Sequence, residues 1–187
     1  KDKGAGCVVE TSDGVIETSY VISATGAFQR PLVPPIIPEI EGIKQIHSTA
    51  YRNPEELPKG NVLVVGAGSS GAQITAELMK TERKTFLSVG AHDRPPRRYR
   101  NRDFCWWLGA LSLWDAEANP SSTHTTIAVS GADGGATVDF RKLASQGLTL
   151  LGLTETYDNG VLTFANNLAD NIREGDNSYL SILDLAD

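Results

Sequence analysis

Apolar positions change their period several times along the chain. Residues 7–11 and 15–18 are short, mostly apolar or β-branched runs either side of Asp13-Gly14, a pair that supplies the backbone angles of a tight hairpin. Residues 20–24 read as a further strand ending at Thr25 and Gly26, after which Pro31, Pro34, Pro35 and Pro38 forbid regular structure and predict a linker. From Asn61 the pattern shifts. Val62, Leu63, Val64 and Val65 form an unbroken apolar run bounded by glycine, as expected of a strand buried on both faces of a parallel sheet. Gly71, Ile74 and Leu78 then recur at helical spacing while Gln73, Glu77 and Lys80 fall elsewhere, and residues 85–89 supply the next strand. Phe104, Trp106, Trp107, Leu108 and Leu111 return to helical spacing as an aromatic stripe expected in core or interdomain packing. A polar, glycine-rich stretch at 119–135 precedes a helix over 138–146, stopped by Gly147, and a buried strand at 148–151. Residues 154–157 and 161–164 flank Asp158-Asn159-Gly160, a second hairpin, and the chain ends in an amphipathic helical pattern over 166–187.

The strand at 62–65 runs directly into Gly66, Ala67, Gly68, Ser69, Ser70 and Gly71, a G-x-G-x-x-G that opens a helix. In that context each glycine has a task. Gly66 permits the turn, Gly68 lets the backbone approach a pyrophosphate, and Gly71 lets helix and strand pack closely. The helix N-terminus then offers free amides and a positive dipole end to phosphates. Ser69 and Ser70 read equally well as helix caps. The expected fold class is α/β, a Rossmann-like parallel sheet with helices on both faces plus β-hairpins.

The tip of the second strand separates NAD from NADP, since an acid there binds a ribose hydroxyl and an arginine binds the 2′-phosphate. Here the tip reads Val89, Gly90, Ala91, His92, with no acid before Asp93 and five arginines at 94, 97, 98, 100 and 102. Guanidinium groups match phosphate oxygens in a planar, bidentate way, so NADPH is the expected nucleotide and Arg97 or Arg98 its 2′-phosphate ligand. Most of the five are expected to pair with surface acids or to lay their stems over Tyr99 and Trp106.

Several motifs together resemble the flavin-dependent (FAD/NADPH) monooxygenases and their bacterial FAD-dependent oxidoreductase relatives. Ala24, Thr25 and Gly26 followed by Pro31 and Pro34 resemble the strand end and linker that pass beside the flavin. His47 and Tyr51 resemble the second half of the family's F-x-G-x-x-x-H-x-x-x-Y fingerprint, although Glu41 and Ile43 stand where its Phe and Gly belong. Residues 62–71 and 96–103 complete the likeness, and Ala91 stands where relatives commonly carry an arginine. The resemblance implies the NADPH-binding portion of a two-dinucleotide-domain flavoprotein in which NADPH passes hydride to FAD, with a small-molecule substrate. It divides the chain into the tail of an FAD domain at 1–30, a linker at 31–60, an NADP-binding domain at 61–165 and a helical segment at 166–187. The family's amino-terminal FAD-binding glycine motif is not in this sequence, so the chain is expected to be a colourless, inactive piece of a longer protein whose missing FAD-domain segments are its partner. A dinucleotide-sensing regulatory module is the rival reading.

Charge and cysteine content narrow this further. Seventeen basic against 23 acidic residues leave a formal charge of −6, which argues against general binding to nucleic acid or an anionic membrane. Cys7 and Cys105 form no C-x-x-C pair, zinc cluster or disulfide framework, so a cytoplasmic protein without a metal site is expected and a disulfide reductase lacks its redox pair. Cys105 among aromatics is expected to be a buried thiol, and His47 a hydrogen-bonded structural residue rather than an acid or base.

Overall fold

In the computed structural model, residues 6–26, 30–117, 125–132 and 134–187 are described, and they divide into two units, Lys1–Leu32 and Val33–Asp187. The first unit is built on an antiparallel hairpin of β1 (Cys7–Thr11) and β2 (Gly14–Thr18), paired in register from Cys7 opposite Thr18 to Thr11 opposite Gly14. Gly14 takes the positive φ of the expected turn. The strand expected at 20–24 is absent: this segment is irregular, with Tyr20 and Ile22 almost wholly exposed. A strand's amides and carbonyls need a neighbouring strand, and among the described residues none pairs with this one.

The second unit is organised by a parallel sheet in the order β3 (Val62–Val65), β4 (Thr85–Ser88), and a third strand at Thr149–Leu151. The helix α1 (Ser69–Leu78) joins β3 to β4. Its buried face is Ala72, Thr75 and Leu78, with Ile74 half-buried, so the period expected from Gly71, Ile74 and Leu78 holds while the face is turned by one residue. The cause is Gly71, which packs against the glycine loop and Val64 and lets its neighbour Ala72 reach the core.

Beyond β4 come three two-residue strands, β5 (His92–Asp93), β6 (Arg98–Tyr99) and β7 (Arg102–Asp103), then the short helix α2 (Phe104–Ala110) and β8 (Thr126–Ile127). β5 pairs parallel with β8, and β6 antiparallel with β7. Next follow α3 (Phe140–Ser145), stopped by Gly147 at a φ of 109°, and the sheet strand β9 (Thr149–Leu151). β10 (Thr154–Asp158) and β11 (Val161–Phe164) form the expected hairpin, in which Asn159 and Gly160 both have positive φ, and α4 (Leu168–Ala186) ends the chain.

The core joins Ala67, Ala72, Leu87, Val89, Ala128, Phe140, Leu148 and Ile172, so α1, the sheet, α3 and α4 share one apolar interior. The aromatic stripe enters it only partly. Phe104 is buried, Trp107 half-buried, and Trp106 is 47% exposed, stacked edge-on against Trp107. Cys105, expected to be buried, is exposed, because a seven-residue helix covers one face only and Phe104 takes it. The described residues contain no helix long and apolar enough to cross a membrane.

Candidate functional site

The glycine loop sits at the carboxyl ends of β3 and β4, where open α/β sheets place their ligands. Gly66 leaves β3 with a φ of 102°, and its N–H donates to the Ser88 carbonyl at 3.0 Å, which ties the loop to the end of β4. Gly68 is the N-cap of α1, with no side chain capping the helix. The first-turn amides are therefore not capped by a serine hydroxyl. A Cβ on Gly71 would fall 1.9 Å from the Gly66 carbonyl oxygen, so residue 71 has to be glycine for the helix to start where it does. Ala67 is buried, and Ser70 is exposed at the helix start.

Ser69 does something other than cap. Its hydroxyl donates to the Ile127 carbonyl at 2.8 Å and accepts the Val129 N–H at 3.3 Å, fastening the loop to β8. Thr126 lies directly over Gly68: its Cβ stands 3.4 Å from where a Gly68 Cβ would be. Its hydroxyl reaches the Ala91 carbonyl at 3.2 Å. One residue thus spans from the second glycine of the loop to the tip of β4.

That tip is held at three successive carbonyls. Asn171 Nδ2 donates to Val89 O at 2.8 Å, the His92 Nδ1–H to Gly90 O at 3.0 Å, and the Thr126 hydroxyl to Ala91 O. His92 is buried, lies edge-on to Phe140 at 5.1 Å, and packs so closely on α4 that a Cβ on Gly175 would fall 2.5 Å from its Nε2. Below the tip, the buried Ser88 hydroxyl donates to Gly152 O and accepts from Thr154, both its N–H and its hydroxyl. None of these bracing groups was singled out from the sequence, since a polar residue inside an apolar strand gives no periodic signal.

The five arginines have separate fates. Arg94 is largely buried: it bonds Asp176 at 2.8 Å and the Val138 carbonyl at 3.1 Å, and lies over the Tyr179 ring. Arg141 also reaches Asp176. Burial raises the Asp176 carboxyl, but its bonds to Arg94 and Arg141 outweigh that and hold it below the usual carboxylate range. Arg97 pairs with Asp103 at 2.8 Å, while its buried Nε has no partner among the described residues. Asp103 is also lowered, mainly by the Cys105 N–H it accepts. Arg100 pairs with Asp187 and lies over Tyr99, and Arg102 lies over Trp106. Among the described residues Arg98 is exposed and its guanidinium has no acid beside it; both Arg97 and Arg98 border Gly135. The expectation that most of the five pair with acids or cover aromatics therefore holds.

Other candidates have structural surroundings. His47 Nδ1 accepts from the Thr49 N–H and lies 2.9 Å from its hydroxyl, capping a single 3₁₀ turn at Ser48–Ala50. Tyr51 donates to Glu77 at 3.0 Å, and burial together with that carboxylate pushes its phenol well above the usual range. Thr25 and Gly26 lie in the first unit, in exposed irregular backbone that gives Gly26 a φ of 77°. Asp93 lines a 240 Å³ cleft with Pro95, Phe104, Ile127 and Ile182. No group of three or more metal-ligating side chains occurs among the described residues.

The pyridine nucleotide-disulphide oxidoreductase family matches residues 1–108. An uncharacterized CzcO-like oxidoreductase of Geobacillus kaustophilus (strain HTA426) is 39% identical over 115 residues, 60% of this chain and 33% of its own length. The uncharacterized oxidoreductase CzcO of Bacillus subtilis (strain 168) is 37% identical over 122 residues, 64% of this chain and 33% of its own. The flavin-containing monooxygenase iboF of Amanita muscaria (strain Koide BX008) is 31% identical over 106 residues, 49% of this chain and 18% of its own. The chain thus spans about a third of the bacterial relatives it matches, and no solved structure matches it. With its parallel sheet and glycine crossover, the chain belongs to the pyridine nucleotide-disulphide oxidoreductase family.

Proposed function

We propose that this chain supplies the NADPH-binding portion of a flavin-dependent, monooxygenase-type oxidoreductase, holding the nicotinamide nucleotide for hydride delivery to FAD in the whole protein. The observation that carries the reading is the crossover at residues 66–71. Gly66 turns at a φ that favours glycine, Gly71 has no room for a methyl group, and α1 begins with uncapped amides at the loop. That is the donor set a pyrophosphate requires: backbone N–H groups at a helix start whose dipole has the right sign.

In this reading the N–H groups of Gly68, Ser69 and Ser70 hold the pyrophosphate. The tip at 89–91, immobilised by Asn171 and His92, forms the wall against the adenosine ribose. Arg98, with Arg97 beside it, supplies positive charge for a 2′-phosphate. Arg94 is spent on Asp176 and serves the fold. Thr25 and Gly26, in the first unit, are assigned to the flavin side on the likeness to the family alone. Bound NADPH supplies a hydride; the chain's own part is to bind and orient.

The test is calorimetric titration of the purified chain with NADPH and NADH. Wild type is expected to prefer NADPH roughly ten- to a hundred-fold, the worth of one charge-assisted contact. Arg97→Ala combined with Arg98→Ala should collapse that ratio, and Arg94→Ala should lower thermal stability while leaving the ratio in place. Gly68→Val should abolish the heat of binding altogether. Equal heats for wild type and Gly68→Val overturn the site, and a wild-type ratio near one moves Asp93 forward as a ribose ligand.

A further inference from the structure

We infer that Thr126 and Ile127 form a short flap that covers the pyrophosphate position over Gly68 and must swing away for a dinucleotide to bind. This inference rests on the proposed nucleotide site at residues 66–71. Three contacts make the flap. The Thr126 Cβ stands 3.4 Å, and its methyl 3.8 Å, from the Cβ position of Gly68. Its hydroxyl bonds Ala91 O at 3.2 Å, and the Ile127 carbonyl accepts from the Ser69 hydroxyl at 2.8 Å. A second glycine in this motif exists to admit a pyrophosphate to the backbone, and here a threonine of the same chain lies in van der Waals contact with the opening that glycine leaves. A phosphate is larger than a methyl group, and one seated on the Gly68 backbone would run into that threonine.

The segment is built to part at one point. Thr126 and Ile127 are exposed, whereas Ala128 is completely buried in the core and its N–H donates to Asp93 O at 2.8 Å. Val129 N–H is bonded to Ser69 from the far side of Ala128. Ala128 is thus an anchor and the two residues before it a flap, joined to β5 by two register pairs, His92 with Thr126 and Asp93 with Ile127. Opening costs two side-chain hydrogen bonds and that ladder, and leaves the buried anchor in place. Ser69 acts as the latch: its hydroxyl donates to the flap in the closed state and gives up that bond in the open one. The nucleotide's apparent affinity is then its intrinsic affinity reduced by the fraction of open molecules.

The experiment is stopped-flow mixing of the purified chain with NADPH, read by nicotinamide fluorescence, alongside hydrogen exchange of a peptide spanning Thr126 and Ile127. In wild type the observed rate should level off with NADPH concentration at the opening rate. Ser69→Ala and Thr126→Gly should each raise that plateau and tighten binding roughly three- to tenfold, the worth of about one hydrogen bond. The 126–127 amides should exchange faster when NADPH is present. A rate that rises linearly without a plateau, weaker binding in Ser69→Ala, or amide exchange unchanged by NADPH overturns the flap and leaves the nucleotide site standing. Failure of wild type and both variants to bind NADPH at all overturns the site itself, and the flap with it.

Discussion

At residue 71 a single hydrogen decides the crossover. The Cβ of an alanine would sit 1.9 Å from the Gly66 carbonyl oxygen, and backbone cannot yield as the end of a lysine does. Gly71→Ala is therefore expected to lose roughly 1–3 kcal/mol or more, read as an earlier thermal melting transition by circular dichroism. Gly68, whose Cβ position meets only an ordinary van der Waals contact, should accept alanine with a far smaller loss. The glycine spacing made this site legible in the sequence, because it encodes backbone geometry. The roles of Ser69 and Cys105 were not legible for the opposite reason. What Ser69 binds lies some sixty residues downstream, and whether Cys105 is covered depends on how much of a short helix the core can reach.

Among the elements, β4 is the one on which the others are registered. It pairs with β3 from Val62–Thr85 to Val65–Ser88 and with β9 from Phe86–Thr149 to Ser88–Leu151. At its end the Ser88 hydroxyl joins Gly152 and Thr154. Ser88→Ala would leave buried groups of Gly152 and Thr154 unpaired, each costing about 1–3 kcal/mol. A fall in melting temperature of roughly 5–10 °C is expected, with β10 the first element to lose amide protection. Ser88→Thr keeps a hydroxyl and separates the lost bond from simple loss of volume. The three strands of the parallel sheet, both hairpins and the α3 helix were readable from period and turn residues. The segment at 20–24 misled because an apolar β-branched run predicts a strand only where a sheet receives it, and pairing is not a local property. The two-residue ladders of β5 to β8 were invisible because they are too short to show any alternation.

For the molecule as a whole, Asp176 links α4, α3 and the arginine segment, accepting from Arg141 and Arg94 at once. Its carboxyl is held below its usual value in the folded chain, so it binds fewer protons folded than unfolded near pH 4. The stability it contributes is complete above the unfolded carboxylate value of about 3.9 and is lost as pH falls through the lower folded value. Melting temperatures should hold steady from neutral pH to about pH 5 and drop below about pH 4. Asp176→Asn should shallow that acid slope and lower the neutral-pH plateau; an unaltered slope would show that the acid transition belongs to other carboxylates.

The central strand also carries a consequence for how the chain reaches this state. β3, α1 and β4 are contiguous in sequence and can associate early, but β4 finds its second neighbour, β9, only after an excursion of about sixty residues. Closing so long a loop is a slow search, although doubling its length would add only about 0.6 kcal/mol. The excursion is therefore tolerant of insertions in thermodynamic terms while setting the refolding rate. Until β9 arrives, one flank of β4 is an open parallel edge of Thr85, Phe86, Leu87 and Ser88, and that window is when the refolding chain is exposed to pairing with another copy of itself.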